Sequence, residues 1–210
     1  MIQPLSLSTV KQSKRIFLIG HNKCGTRSFH NLLRKNGYKS IHFGNGNLAR
    51  KVQANFIFSR PLLMGIDRFN CYTDMEICGE FYAYRLFPLF DLQYPGSCFV
   101  LNTRDVDRWI ESRFNHGDGR YAKKYLKRMR ESFENPSLTL DSLRDHWKKA
   151  WKRHETDVRR YFAGRKNFFE FDITNSDQQA QLCQFLRDTG FQIEDDCLPH
   201  RGVTKTQQTR

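Results

Sequence analysis

Gly20-His21-Asn22-Lys23-Cys24-Gly25-Thr26-Arg27-Ser28 lies between a short apolar run, Ile16-Phe17-Leu18-Ile19, and a stretch with apolar residues at Phe29, Leu32 and Leu33. The apolar run ending in Gly20 reads as a buried strand. The spacing after it reads as one face of a helix, with Gly37 where that helix would end. The two glycines have the separation found in a phosphate loop, G-x-x-x-x-G-K-S/T. A loop that opens a helix points free N–H groups at an anion. Tyr38 to Phe43 read as a second strand. The chain therefore opens strand, loop, helix, strand, which implies a parallel sheet.

Outward from this unit, 47–58 reads as a helix and Gly79 to Phe90 as another, stopped at the turn signal Gln93-Tyr94-Pro95-Gly96. Cys98-Phe99-Val100-Leu101-Asn102 is the best further buried strand, and Phe168 to Ile173 a third. From Asp105 the pattern turns helical, with Val106, Trp109 and Ile110 on one face. Residues 120–134 are basic, and 141–162 carry Leu143, Trp147, Trp151, Val158 and Phe162 at near-helical spacing. Asn175 caps a last helix ending at Gly190. The expected fold class is α/β: one domain over 1–210 with a central, mainly parallel sheet flanked by helices, related to the P-loop nucleotide folds. The segments 1–14 and 201–210 read as loose ends.

Composition bounds the function. The chain has 210 residues, 39% hydrophobic and 27% charged, which predicts a packed core. No apolar run approaches the roughly 20 residues of a membrane helix. The first residues lack the continuous apolar region of a secretory signal. With 35 Lys+Arg against 22 Asp+Glu, the net charge of +13 implies a polyanionic partner: nucleic acid, phosphate-rich nucleotide, acidic lipid or acidic glycan. Cys24, Cys71, Cys78, Cys98, Cys183 and Cys197 form no C-x-x-C pair, against a zinc ribbon or thioredoxin-like site. Free thiols in a reducing cytoplasm are expected.

The loop departs from a kinase loop. Thr26 stands at the Lys position and Arg27 at the position of the metal-holding hydroxyl. A P-loop kinase holds Mg²⁺ with that hydroxyl and with an Asp after another strand. Here that strand runs into Arg104, a cation where a metal needs a carboxylate. The site reads as built for phosphate without a metal.

At these residues the chain resembles the PAPS-dependent sulfotransferases, where PAPS is 3′-phosphoadenosine 5′-phosphosulfate. The first part of the family signature, Lys-x-Gly-Thr-x-Ser after a strand, is Asn22-Lys23-Cys24-Gly25-Thr26-Arg27-Ser28 here. The second, Arg and Ser eight residues apart, is Arg104 and Ser112. Tyr94-Pro95-Gly96-Ser97 resembles the family's lead-in, and Leu198-Pro199-His200 its C-terminal segment. The commonest family form has a second Thr where Arg27 stands. The resemblance implies that the first loop binds the 5′-phosphosulfate and that Arg104 and Ser112 bind the 3′-phosphate. It implies PAPS as donor and adenosine 3′,5′-bisphosphate (PAP) as product. Arg104 suits a phosphate because guanidinium makes two parallel charged bonds. Ser112, about two helical turns on, reaches the same phosphate only if the chain bends or uncoils between them.

Transfer to a hydroxyl or amine needs a base. In the family it is a His, Glu or Asp entering from outside the loop. Tyr72-Thr73-Asp74-Met75-Glu76-Ile77-Cys78-Gly79-Glu80 offers Asp74, Glu76 and Glu80, with Asp74 matching best and Glu76 next; Asp74 also reads as a helix cap. His21, His30 and His42 read as structural alternatives. The basic stretches with Tyr121, Tyr125, Trp147 and Trp151 read as solvated helix faces or as a groove for an anionic or carbohydrate acceptor. The acceptor is open: sugar, lipid, peptide or small metabolite, with no specific nucleic acid expected. Two rivals stand beside this reading, a P-loop small-molecule kinase and a non-catalytic polyanion or nucleic-acid binder.

Overall fold

The computed structural model describes residues 14–195, 198 and 199. In chain order the elements are β1 (Ile16–Leu18), α1 (Thr26–Lys35), β2 (Ser40–His42), α2 (Asn47–Ile57), β3 (Cys71–Thr73), β4 (Glu76–Ile77) and β5 (Phe81–Tyr82). There follow α3 (Phe87–Gln93), β6 (Cys98–Thr103), α4 (Val106–Phe114), α5 (Arg120–Ser132), α6 (Leu140–Tyr161), β7 (Phe168–Asp172) and α7 (Ser176–Asp188). Five strands form one parallel sheet in the order β2-β3-β1-β6-β7. The α/β class with a central parallel sheet is as the sequence predicts.

Alternation along the central strands divides the core. Phe17 of β1 and Ile19 just after it, with Phe99 and Leu101 of β6, face α2, α3 and α6. Ile16, Leu18, Cys98 and Val100 face α1 and α7. Both faces of the sheet are covered, which is why its central strands read as continuous apolar runs rather than alternating ones. A third cluster packs α4, α5 and α6 around Trp109 and Trp147. Successive connections run to one side of β1 and then, from β6, to the other. The crevice between the carboxyl ends of β1 and β6 is thus the switch point where such sheets bind ligands.

Three expectations are corrected. The strand β3 lies between β1 and β2, at a place not read as strand; its residues Cys71, Tyr72 and Thr73 are all fully buried. The expected helix from Gly79 to Phe90 is instead β5, a 3-10 turn at Ala83–Leu86, and the start of α3, because Phe81 and Tyr82 pair antiparallel with β4. Asp74 does not cap a helix, since β4 follows it. The readings of 1–13 and 201–210 as loose ends, and those of Cys197 and His200, fall outside the described residues. The other five cysteines are free thiols. Among the described residues no helix is long and apolar enough to cross a membrane.

Candidate active site at the β1–β6 crevice

The loop after β1 is held from beneath by its own carbonyls. Asn102 Nδ2, on β6, donates to His21 O at 3.1 Å and to Cys24 O at 3.0 Å. Trp109 Nε1 donates to Asn22 O at 3.0 Å, and Arg104 Nη1 to Lys23 O at 3.0 Å. Four consecutive carbonyls are therefore fixed by donors on β6, α4 and the residues joining them. Asn102 Oδ1 also accepts from Gly20 N at 3.0 Å. A Cβ on Gly20 would sit 2.1 Å from Asn102 O, so only glycine allows this contact. Lys23 and Gly25 both have positive φ, 63° and 78°. Such left-handed steps turn successive N–H groups into a concavity for an anion.

The loop delivers the chain into α1, whose start has no side-chain cap and no acidic residue in its first turn. Its positive dipole end is left for an external anion. Thr26 is buried and Arg27 exposed. The Cys24 side chain points into the Trp109 cluster, and burial pushes its thiol pKa up, so this residue can offer a ligand only its backbone.

The charged groups around the crevice are coupled. Burial lowers the Lys23 pKa, Asp74 opposes the shift, and Arg27, Arg104 and Arg113 add to it. Burial, with Lys23 and two arginines, also lowers the pKa of His116, keeping it neutral. Its Nδ1 thus accepts from Lys23 Nζ at 3.3 Å. Arg104 Nε is buried without a protein partner. That orphan donor and the uncapped helix fit a group bearing phosphates.

Asp74 leaves β3 in a left-handed conformation, φ 57°. Its pKa is raised to about 7, first by burial and then by Glu76, against Arg113, Lys23 and Arg27. A carboxyl poised there suits a base working near neutral pH. Glu76 is placed differently. Arg113 Nη2 donates to its Oε1 at 2.7 Å, Tyr121 OH donates to the same oxygen, and both charged side chains are only 2% exposed. Glu76, expected as the second candidate base, lies in a buried ion pair rather than open at the crevice. Glu80 pairs with Arg128. His21 is a structural residue, with Nδ1 bonded to Tyr84 OH at 2.9 Å and its ring stacked on Trp151.

The helix α4 is capped by Asp105, whose side chain accepts from Arg108 N, and runs unbroken past Ser112. Neither a bend nor uncoiling brings Ser112 back toward Arg104, and about 9 Å of helix separates Val106 from Ser112. Trp147 and Trp151 do not line a groove; they are core residues, packed with Trp109 around the buried Arg113. Tyr125 does line a cavity of about 350 Å³, with Tyr82, Arg85, Phe133, His146 and Lys149. A second cavity, of about 530 Å³, lies by Phe56, Arg60 and Leu89.

Asn102, Trp109 and Arg113 were not singled out for the site by sequence. Asn102 carried one signal: a polar residue closing an apolar strand beside a phosphate loop.

The fold and loop define an α/β protein of the P-loop-like kind, with cations where a kinase would hold its metal. A family model described as a sulfotransferase domain matches residues 15–200. The chain belongs to the sulfotransferase family, and so to the enzymes that transfer sulfuryl groups. No curated protein matches it.

Proposed function

We propose that this chain moves a sulfuryl group from PAPS to a hydroxyl or amine acceptor and releases PAP, with no metal in the step. The observation that carries the reading is the row of four tied carbonyls, 21 to 24, in a loop ringed by the cationic side chains of Lys23, of Arg27 on α1 and of Arg104 after β6. Backbone N–H groups of 24–28 cradle the 5′-phosphosulfate. Lys23 stabilises the charge that builds on the departing phosphate, as an oxyanion donor does. Arg104 holds the 3′-phosphate; Ser112, farther along the unbroken α4, is not given a part in it. Asp74 takes the acceptor's proton. The acceptor is a carbohydrate or small anionic metabolite, a class that suits the surplus of cations. Free thiols fit a reducing, cytoplasmic setting.

Isothermal titration of PAP, AMP and ADP in EDTA tests the donor. A hydrogen bond to a charged group is worth about 1.5–3 kcal/mol, and about 1.4 kcal/mol is one decade of affinity. PAP is therefore expected to bind at least about tenfold tighter than AMP or ADP. In Arg104→Ala the ratio collapses. AMP also weakens there, because Arg104 fixes the carbonyl of Lys23. Equal affinity for the three nucleotides, or a requirement for Mg²⁺, returns the kinase.

A further inference from the structure

Strands β2 and β3 end side by side next to the loop. His42 Nδ1 lies 2.9 Å from Thr73 Oγ1, and His42 Nε2 lies 3.7 Å from Asp74 Oδ2. The Thr73 hydroxyl donates its one proton to Ile41 O at 3.3 Å. With that bond made, Thr73 Oγ1 has only lone pairs for the histidine, which assigns the ring proton to His42 Nδ1 as donor. Burial, with His30 and Arg27, holds the His42 pKa down at about 4, so the ring is neutral. A neutral imidazole with its proton on Nδ1 has a lone pair on Nε2. At neutral pH the His42–Asp74 contact is therefore no ion pair; a lone pair faces a carboxyl oxygen.

We infer that His42 is a positioning residue for Asp74, its Nε2 accepting a hydrogen bond from the carboxylic acid that forms when Asp74 takes the acceptor's proton. This rests on the reading of the site as a sulfuryl transferase with Asp74 as base. The acceptor O–H bond breaks and its proton passes to Asp74 Oδ2. The acceptor oxygen bonds to sulfur, and the sulfur–oxygen bond to the 5′-phosphate breaks with its electron pair left on the phosphate. The proton then lies between Asp74 and His42 and leaves to solvent with the product. Before transfer, the Nε2 lone pair and the carboxylate repel; afterwards they attract, and a shift of about 1 Å closes the bond.

Every packed element bears on this pair. Asp74 is faced by Lys23 of the loop, Arg27 of α1, Arg113 of α4 and Glu76 of β4. His42 is faced by His30 and Arg27 of α1. The three cations favour ionised Asp74. Burial and Glu76 oppose them, and His42 adds to that side while staying uncharged.

The test is carbon-13 NMR titration of the aspartate carboxyls in the whole protein, with Asp74→Asn to assign Asp74, and nitrogen-15 NMR of the histidine rings. His42→Leu keeps apolar bulk and removes the acceptor; His42→Gln offers an amide oxygen instead. The wild-type His42 signal is expected to be the Nδ1–H tautomer at neutral pH. The Asp74 midpoint is expected to fall by about 0.5–1 pH unit in His42→Leu and to return toward wild type in His42→Gln. An unmoved midpoint in His42→Leu overturns the inference. So does a proton on Nε2 in the wild type, a reading that needs no variant. PAP titration of the wild type separates the two ideas: lost PAP preference sinks the donor reading, whereas these NMR results concern His42 and Asp74 alone.

Discussion

A carboxyl with its pKa raised to about 7 is a standing electrostatic strain, and at Asp74 that strain has a sign that can be worked out. Its folded pKa lies above the unfolded value of about 3.9. Its stabilising contribution is therefore full below about pH 4 and is lost as pH rises toward 7, because the unfolded state then binds fewer protons. Asp74→Asn removes the penalty, and asparagine tolerates the left-handed backbone at this position. Urea unfolding at pH 8 is expected to find the variant more stable by about 2–4 kcal/mol, with the gap shrinking toward pH 4. Transfer activity is expected to be lost. A destabilised variant, or an equal gap at both pH values, would mean that Asp74 is an ordinary structural group. Lys23 carries the companion prediction. Lys23→Ala should lower turnover by roughly 10²–10³ while the fold persists, because lysine and alanine carry the same Cβ in the left-handed conformation this position already has. Unchanged turnover would remove Lys23 from the chemistry. Both residues could be proposed from sequence because the signals are local: a cation inside an anion loop, and an acid among apolar neighbours. The setting of Glu76 was not legible, because its partner Arg113 lies 37 residues away and arrives only through packing.

At the scale of elements, the site is a strand end and a loop locked together. The side chain of Asn102 holds Gly20, His21 and Cys24 through three bonds, at 1% exposure. Asn102→Leu strips the donors from two buried carbonyls and the acceptor from one buried N–H. Each such orphan costs about 1–3 kcal/mol, so a loss of about 3 kcal/mol or more is expected, together with PAP affinity. Asn102→Asp keeps the acceptor for Gly20 and should cost no less, since a buried carboxylate would then face two carbonyls. Thermal unfolding with and without PAP checks both; an Asn102→Leu protein that binds PAP normally would show that the loop shapes itself. Strand β1, the loop and α1 were readable because apolar run, glycines and helical spacing succeed one another in 22 residues from Ile16 to Gly37. Strand β3 was not, because three residues, Cys71-Tyr72-Thr73, are too short for a period to appear; the neighbouring strands supply its pairing.

For the whole molecule, the surplus of +13 has two components that respond differently to salt. Cations spread over the outer surface form one component, some of them paired there, as in Arg144–Glu111 and Lys148–Asp107. A few cations converge on the crevice, where Arg27 and Arg104 depress the Lys23 pKa and Asp74 opposes them. An anion bound there relieves their repulsion at short range, within partly buried surroundings that salt screens poorly. A polyanion laid over the helices would instead gain chiefly by releasing counterions, with a slope near −0.7 per phosphate contact for a single strand. For about seven contacts, a fourfold rise in salt then costs roughly 10³ in affinity. Raising salt from about 50 to 200 mM should therefore nearly abolish binding to random single-stranded RNA, and lower PAP affinity by no more than about tenfold. Fluorescence anisotropy for the RNA and calorimetry for PAP, on the same preparation, give the two slopes. Were RNA to remain bound at the higher salt while PAP was lost, the crevice would be incidental to a surface built for polyanions, and the charge would have to be read as the function itself.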